Sequence, residues 1–285
     1  MAGPLMPAAG NIRFGCHSYT WHMSGEKYRG RIDHLAAVAA DAEFTGLEPE
    51  HFMLGEAYSD PRKVQEALVE HGLELAALAY VADWLHAEET AEERAETDQC
   101  VAFLQNFPGS KFVLVPVPLS AHEPPDLVTR QSNALTCINA VAGRAREAGV
   151  VVTVHPNSSP DSAFRTADDY EVLFGGLDAG VGFTPDSGHM AAGGMDPLQT
   201  IKRYRERVDH VHFKDIHEDG TWAPTGEGRL DFPGVVSYLA ETDYQGWIIF
   251  EDESDSAERD PDTATRGNGT YARDVLSPIL AGTRR

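Results

Sequence analysis

Short apolar runs alternate along this chain with longer amphipathic stretches, and the alternation repeats from one end to the other. Residues 12–19 read as a strand, 32–42 as a helix with Ile32, Leu35, Ala36, Ala39 and Ala40 on one face, and 45–50 as a second short strand. Strand, helix, strand is a parallel crossover unit. A helix over 61–71 stops at Gly72, a strand follows over 73–81, and a charged helix over 90–107 stops at Pro108 and Gly109. The run 111–117 is almost wholly apolar, the pattern of a strand covered on both faces. The remaining pairs are a helix over 129–148 and a strand over 150–154, then a helix over 166–174, N-capped by Thr166, and a strand over 180–184. After these come a helix over 197–207 and a strand over 210–215, a helix over 232–241 and a strand over 246–250, and a closing helix over 272–281.

Eight strand segments, each followed by a helix, predict an α/β fold of the (β/α)8 TIM barrel type, one domain spanning 12–281. An open dinucleotide-binding sheet is disfavoured, because no GxGxxG loop follows the first strand. Residues 1–11 are small, Pro-containing and uncharged and are expected to form a loose arm, with 282–285 a frayed end.

In a strand over 210–215, His210, His212 and Lys214 share one face while Val211 and Phe213 take the other. Polar groups buried on such a face need partners, and a metal ion or an anionic substrate would supply them. A barrel carries its chemistry at the C-terminal ends of its strands. Those ends offer His17, Glu48 with Glu50, His155, Asp186 with His189, His212 with Lys214, and Glu251 with Glu253, from six remote parts of the chain. Imidazole and carboxylate without thiolate suit a divalent ion, Mn2+ or Co2+ before Zn2+, Fe2+ or Mg2+. Such an ion holds two oxygens of a hydroxy-ketone and stabilises the enediolate left when a neighbouring C–H proton departs, with a carboxylate or Lys214 moving that proton.

Charge and cysteines narrow the field. The net charge of −22 lacks the basic footprint that a nucleic-acid partner requires, which disfavours an endonuclease IV-like nuclease despite its shared barrel. Cys16, Cys100 and Cys137 show no CxxC spacing, so neither a disulfide framework nor a thiolate zinc site is expected, and a reducing, cytoplasmic setting fits. No apolar run reaches the length of a membrane helix. The expected partner is therefore a small-molecule sugar or polyol, with no nucleic acid and no membrane, and self-association to a homo-oligomer is left open. A non-catalytic barrel is disfavoured by the completeness of the ligand set.

Gly15-Cys16-His17, Gly46-Leu47-Glu48, Asp186-Ser187-Gly188-His189, the stretch 210–215 and Gly246-Trp247 through Glu251 together resemble the xylose-isomerase-like superfamily of sugar isomerases, epimerases and inosose dehydratases. The resemblance covers nearly the whole chain. It implies one divalent metal, carried over by position onto His155, Asp186, His212 and Glu251. His155 is a departure, since many members have Glu there. In the two-base epimerases that Glu and the one matching Glu251 flank the substrate carbon, so the symmetric carboxylate pair is lost here. The His-Pro turn at 155–156, Gly194-Met195-Asp196-Pro197, the Gly226-Glu227-Gly228 loop and Asp231-Phe232 resemble the inosose dehydratase branch more closely.

The function expected from these readings is a metal-dependent isomerase or epimerase of a keto-sugar or related polyol, with an inosose dehydratase-like lyase as the alternative. Glu251, Lys214 and His155 are the expected catalytic residues, and His17, Trp21, Glu48, Glu50, His189 and Glu227 the expected substrate contacts. Trp21 and Trp84 follow strands one and three, where aromatic faces line sugar sites. Glu253 shares the parity of Glu251, but the acidic run 252–260 reads as a solvated loop. Arg165 and Arg229 lack a glycine-rich cradle beside them, which favours an unphosphorylated substrate.

Overall fold

The computed structural model describes residues 12–117 and 125–282; the expected arm at 1–11 lies outside the described residues, as do 283–285 of the expected frayed end. β1 (Ile12–His17) pairs in parallel with β2 (Gly46–Glu48) on one side and, on the other, with the last strand of the chain, Gly246–Phe250. β2 pairs with β3 (Glu74–Leu75), and β4 (Ala77–Ala82) continues the same barrel position toward β5 (Lys111–Pro116). Ala76 separates β3 from β4 because it serves two neighbours at once: its N–H bonds Leu47 and its carbonyl accepts from Lys111. β6 (Val151–Val154) and β7 (Gly182–Phe183) follow in parallel register. β8 (Val211–Phe213) meets β7 through the bridges Phe183–Val208 and Asp186–His212, and the bridge Glu50–Ala79 joins β2 to β4. A short antiparallel hairpin of β9 (Asp215–Ile216) and β10 (Trp222–Ala223) stands above β8, and β11 (Gly246–Phe250) closes the ring between β8 and β1.

Strand alternation explains where the core sits. Leu47, Val211, Phe213, Ile248 and Phe250 face outward into a large buried cluster shared with the helices, whereas Trp247 and Ile249 pack with Ala76 in a small cluster of their own. Gly46 is required there. A Cβ on it would come within 2.4 Å of the Trp247 ring, so the indole plugs the barrel only because that strand position has no side chain.

The helices over Ile32–Asp41, Pro61–Glu70, Ala91–Leu104, Leu127–Glu147, Ala167–Gly176 and Phe232–Glu241 agree with the hydrophobic pattern. Thr166 caps as expected, in a reciprocal box with Asp169, and Thr90 does the same with Glu93. The acidic run at 252–260 is not a solvated loop. Ser254 accepts the N–H of Ala257 to start a helix over Asp255–Arg259, and Asp260 accepts that of Thr263 to start another over Pro261–Tyr271. Residues that read as solvent-seeking charge are in part helix caps, and Asp252 is buried. The closing helix is therefore longer than expected, passing through a π-turn at Ala272–Leu276 before Ser277–Gly282. Among the described residues no helix is long and apolar enough to cross a membrane, and Cys16, Cys100 and Cys137 are free and buried.

Candidate active site

A cavity of about 850 Å³ opens at the C-terminal ends of the strands, lined among others by His17, His22, Glu50, His155, His189, His212, Trp222, Glu251 and Glu253. Parity along each strand aims these groups inward. His212 points into the barrel because Val211 and Phe213 are committed to the outer core, and Glu251 does so because Phe250 is.

His155, Asp186, His212 and Glu251 each place one ligand atom within 4.8 Å of those of the other three. Asp186 is fully buried; Oδ1 accepts the backbone N–H of His189 at 2.7 Å, while Oδ2 makes no hydrogen bond among the described residues and lies 3.5 Å from His155 Nε2. Among the described residues neither ring nitrogen of His155 is hydrogen-bonded, although the residue is 3% exposed. Buried acceptors without donors are costly, and a divalent cation between them removes that cost. The donor set of two imidazoles and two carboxylates fits such an ion.

His212 is held from both sides, with Nδ1 3.0 Å from Glu251 Oε2 and Nε2 3.1 Å from Glu48 Oε2. Burial disfavours its charge, but Glu48 and Glu251 overcome this and raise its pKa to about 10. Glu48 does not line the cavity. It is fully buried, bonded also to His210 Nε2 at 2.6 Å, and so lies under the ligand set as a support for His212 rather than as a substrate contact. His210 belongs to the same support.

Lys214 is also buried. Its ammonium donates to His189 Nε2 at 2.9 Å, to Glu251 Oε1 at 3.1 Å and to Glu253, and lies 5.3 Å from the Trp222 ring centre. Burial opposes this charge, yet Glu251, Glu253 and Asp186 raise Lys214 well above lysine's ordinary value. Burial together with the ammonium beside it lowers His189 to about 3, so that ring is neutral. An ammonium has no lone pair to accept with, so His189 Nε2 accepts and Nδ1 carries the proton toward Ser158 Oγ, 2.8 Å away. Burial outweighs Lys214 in the case of Glu253, which is pushed up to about 7.

Of the other expected contacts, His17, Glu50 and His189 line the cavity. Trp21 does not. The chain turns into a short helix over Tyr19–His22, which aims Tyr19 and His22 at the cavity and sends Trp21 into the core, where its indole N–H donates to Asp262 at 2.7 Å. Trp84 is likewise buried away from the cavity. Glu227 is exposed at the tip of a turn and does not line this cavity; Asp215 takes the N–H groups of Gly226 and Gly228 at 3.0 Å and fixes the turn. Trp222, His22, Asn157, Ser158 and Glu253 enter the cavity lining without having been expected there; only Glu253 had a readable signal, its two-residue spacing from Glu251.

The family model described as "Xylose isomerase-like TIM barrel" matches residues 36–273. Over 96% of this chain and 98% of the relative, the sequence is 25% identical to an inosose dehydratase of Geobacillus kaustophilus. A solved structure of the IolI protein with a bound zinc atom superposes with a TM-score of 0.74 at 16% identity, covering 94% of this chain and 99% of that one. An L-ribulose 3-epimerase does so with a TM-score of 0.71 at 19% identity, over 96% of each chain. The two structural likenesses speak to the fold, and the family match spans most of the barrel: the chain belongs to the xylose isomerase-like TIM barrel family.

Proposed function

We propose that this protein is a divalent-metal-dependent carbon–oxygen lyase of the inosose dehydratase type, removing water from a cyclic keto-polyol. The observation that carries the reading is the unequal chemistry on the two sides of the ligand set. Toward β11 stand Glu251 and Glu253 with the Lys214 ammonium between them; toward β6 stand His155, Ser158 and the neutral His189. An epimerase must remove a proton from one face of a carbon and return it to the other, which calls for matched groups. Loss of water calls for one base only, with an acid elsewhere, and the full-length likeness to an inosose dehydratase supports the same branch.

A divalent ion held by His155, Asp186, His212 and Glu251, with Mn2+ or Co2+ favoured, would polarise the ketone and stabilise charge on its oxygen. Glu253 reaches the cavity one alternate position beyond Glu251 and takes the proton from the carbon next to the ketone. Lys214 stays charged and orients Glu253. Neutral His189 and Ser158 meet substrate hydroxyls, and Arg165 and Arg229 lie in the lining near them. The test is direct. Mn2+-loaded protein incubated with a keto-inositol produces an enone whose ultraviolet absorbance grows with time; conversion of the keto-polyol to an isomer without absorbance would favour the epimerase reading instead.

A further inference from the structure

The cavity holds a second carboxylate–imidazole pair that the ligand set does not use. His22 Nδ1 lies 3.0 Å from Glu50 Oε2; the Glu50 side chain is 3% exposed and that of His22 39%. Glu50 is fixed from below, at the end of β2, where its backbone N–H donates to Ser18 Oγ at 2.8 Å. The His22 ring is wedged edge-on between Phe52 at 4.8 Å and Tyr19 at 5.2 Å, between centroids. Nδ1 meets the carboxylate as a close ion pair outside hydrogen-bond geometry, and with the ring flanks packed the Nε2 edge is the part left to the cavity. His17 connects this pair to the metal group: its ring is 5.4 Å from that of His212, and it feels the charges of both Glu50 and Glu251.

We infer that His22, oriented by Glu50, is the general acid that protonates the departing hydroxyl. This rests on the lyase reading above. Once the carbon beside the ketone has lost its proton to Glu253, the electron pair re-forms the carbonyl and expels the hydroxyl on the next carbon. That oxygen takes the Nε2 proton of the His22 imidazolium and leaves as water, and solvent restores both groups. Other donors in the lining serve less well. Tyr19, for one, is pushed up to about 12 by burial. The groups facing His22 are Glu50 from β2, Glu26 from the turn Gly25–Tyr28, Tyr19 from its own helix and the apolar Phe52. Glu50 and Glu26 support the protonated ring against the opposing effect of burial, raising it above histidine's ordinary value.

Acid and base steps separate experimentally. In D2O, with Mn2+-loaded protein and a keto-inositol, deuterium entry beside the ketone reports proton removal and enone absorbance reports water loss. For His22→Gln we expect water loss to fall by about 100- to 10,000-fold while deuterium entry stays within a few-fold of wild type and metal content is unchanged. Added imidazole should restore part of the water loss to His22→Ala. If His22→Gln dehydrates within about tenfold of wild type, or loses deuterium entry in step with dehydration, the assignment is wrong. Wild-type protein that shows neither signal overturns the lyase reading, and this assignment with it.

Discussion

At the ends of β6 and β7 the cavity meets His155, Asn157, Ser158 and His189, with the His189 ring bonded to Asn157 and Ser158; at the ends of β8 and β11 it meets Glu251 and Glu253, joined through the buried Lys214 ammonium, which also donates to His189. The same fold supplies both walls, and the difference comes from single side chains at equivalent strand ends. Where a carboxylate would make the walls alike, His155 stands beside Asp186 without a hydrogen bond among the described residues. In the proposed elimination, the wall that carries Ser158 and the neutral His189 suits hydroxyl recognition, and the wall that carries Glu251 and Glu253 suits proton removal.

The comparison breaks entirely if the divalent ion proposed between the walls can no longer bind. Asp186→Ala is expected to weaken Mn2+ binding by more than about 100-fold, beyond the usual cost of losing a ligand's outer support, and to abolish turnover; elemental analysis and calorimetric titration measure the first, enone formation the second. His155→Glu makes the walls alike. Water loss should drop by about 100-fold and configurational change at the carbon beside the ketone should appear, followed by proton NMR; unchanged dehydration would show that wall asymmetry does not set the outcome.

A smaller effect concerns protons carried by the proposed metal site. Because the pKa of His212 is raised to about 10, below that pH an entering ion must displace a proton, so affinity should increase with pH by up to about tenfold per unit until pH 10 is approached. Calorimetry in buffers of different ionisation enthalpy counts the released proton. The smallest effect is expected from Trp21→Phe, which touches neither wall: the hydrogen bond to Asp262 is lost, stability falls by about 1 kcal/mol in a melting experiment, and KM stays unchanged.

Much of this was legible in the sequence, for a physical reason. The runs that became β5, β6 and β11 are apolar because both faces are covered, and the inward set His212, Asp186, Glu251 follows from strand parity. What the pattern hid depends on local turns. One helical turn after β1 exchanged the expected Trp21 for His22, and the caps Ser254 and Asp260 made an acidic run into helix starts, so Glu253 was misread with it. The two residues of β7 and the interruption at Ala76 carry no periodicity of their own, being set by neighbouring strands. Pairing between His22 and Glu50 likewise exists only once β1 and β2 lie side by side.

Asp215, next to Lys214, uses its carboxylate on the backbone of the loop above, accepting from Gly226 and Gly228 at 3.0 Å and from Leu230 at 3.3 Å. That loop carries Arg229 to the mouth of the cavity. An ordinary surface loop opens freely and its amides exchange readily with solvent, but these three amides are tied to a buried carboxylate on β9, directly after the barrel strand β8. The roof over the cavity is thereby coupled to the stability of β8 and β9, and in hydrogen exchange it should age with the barrel instead of with the surface.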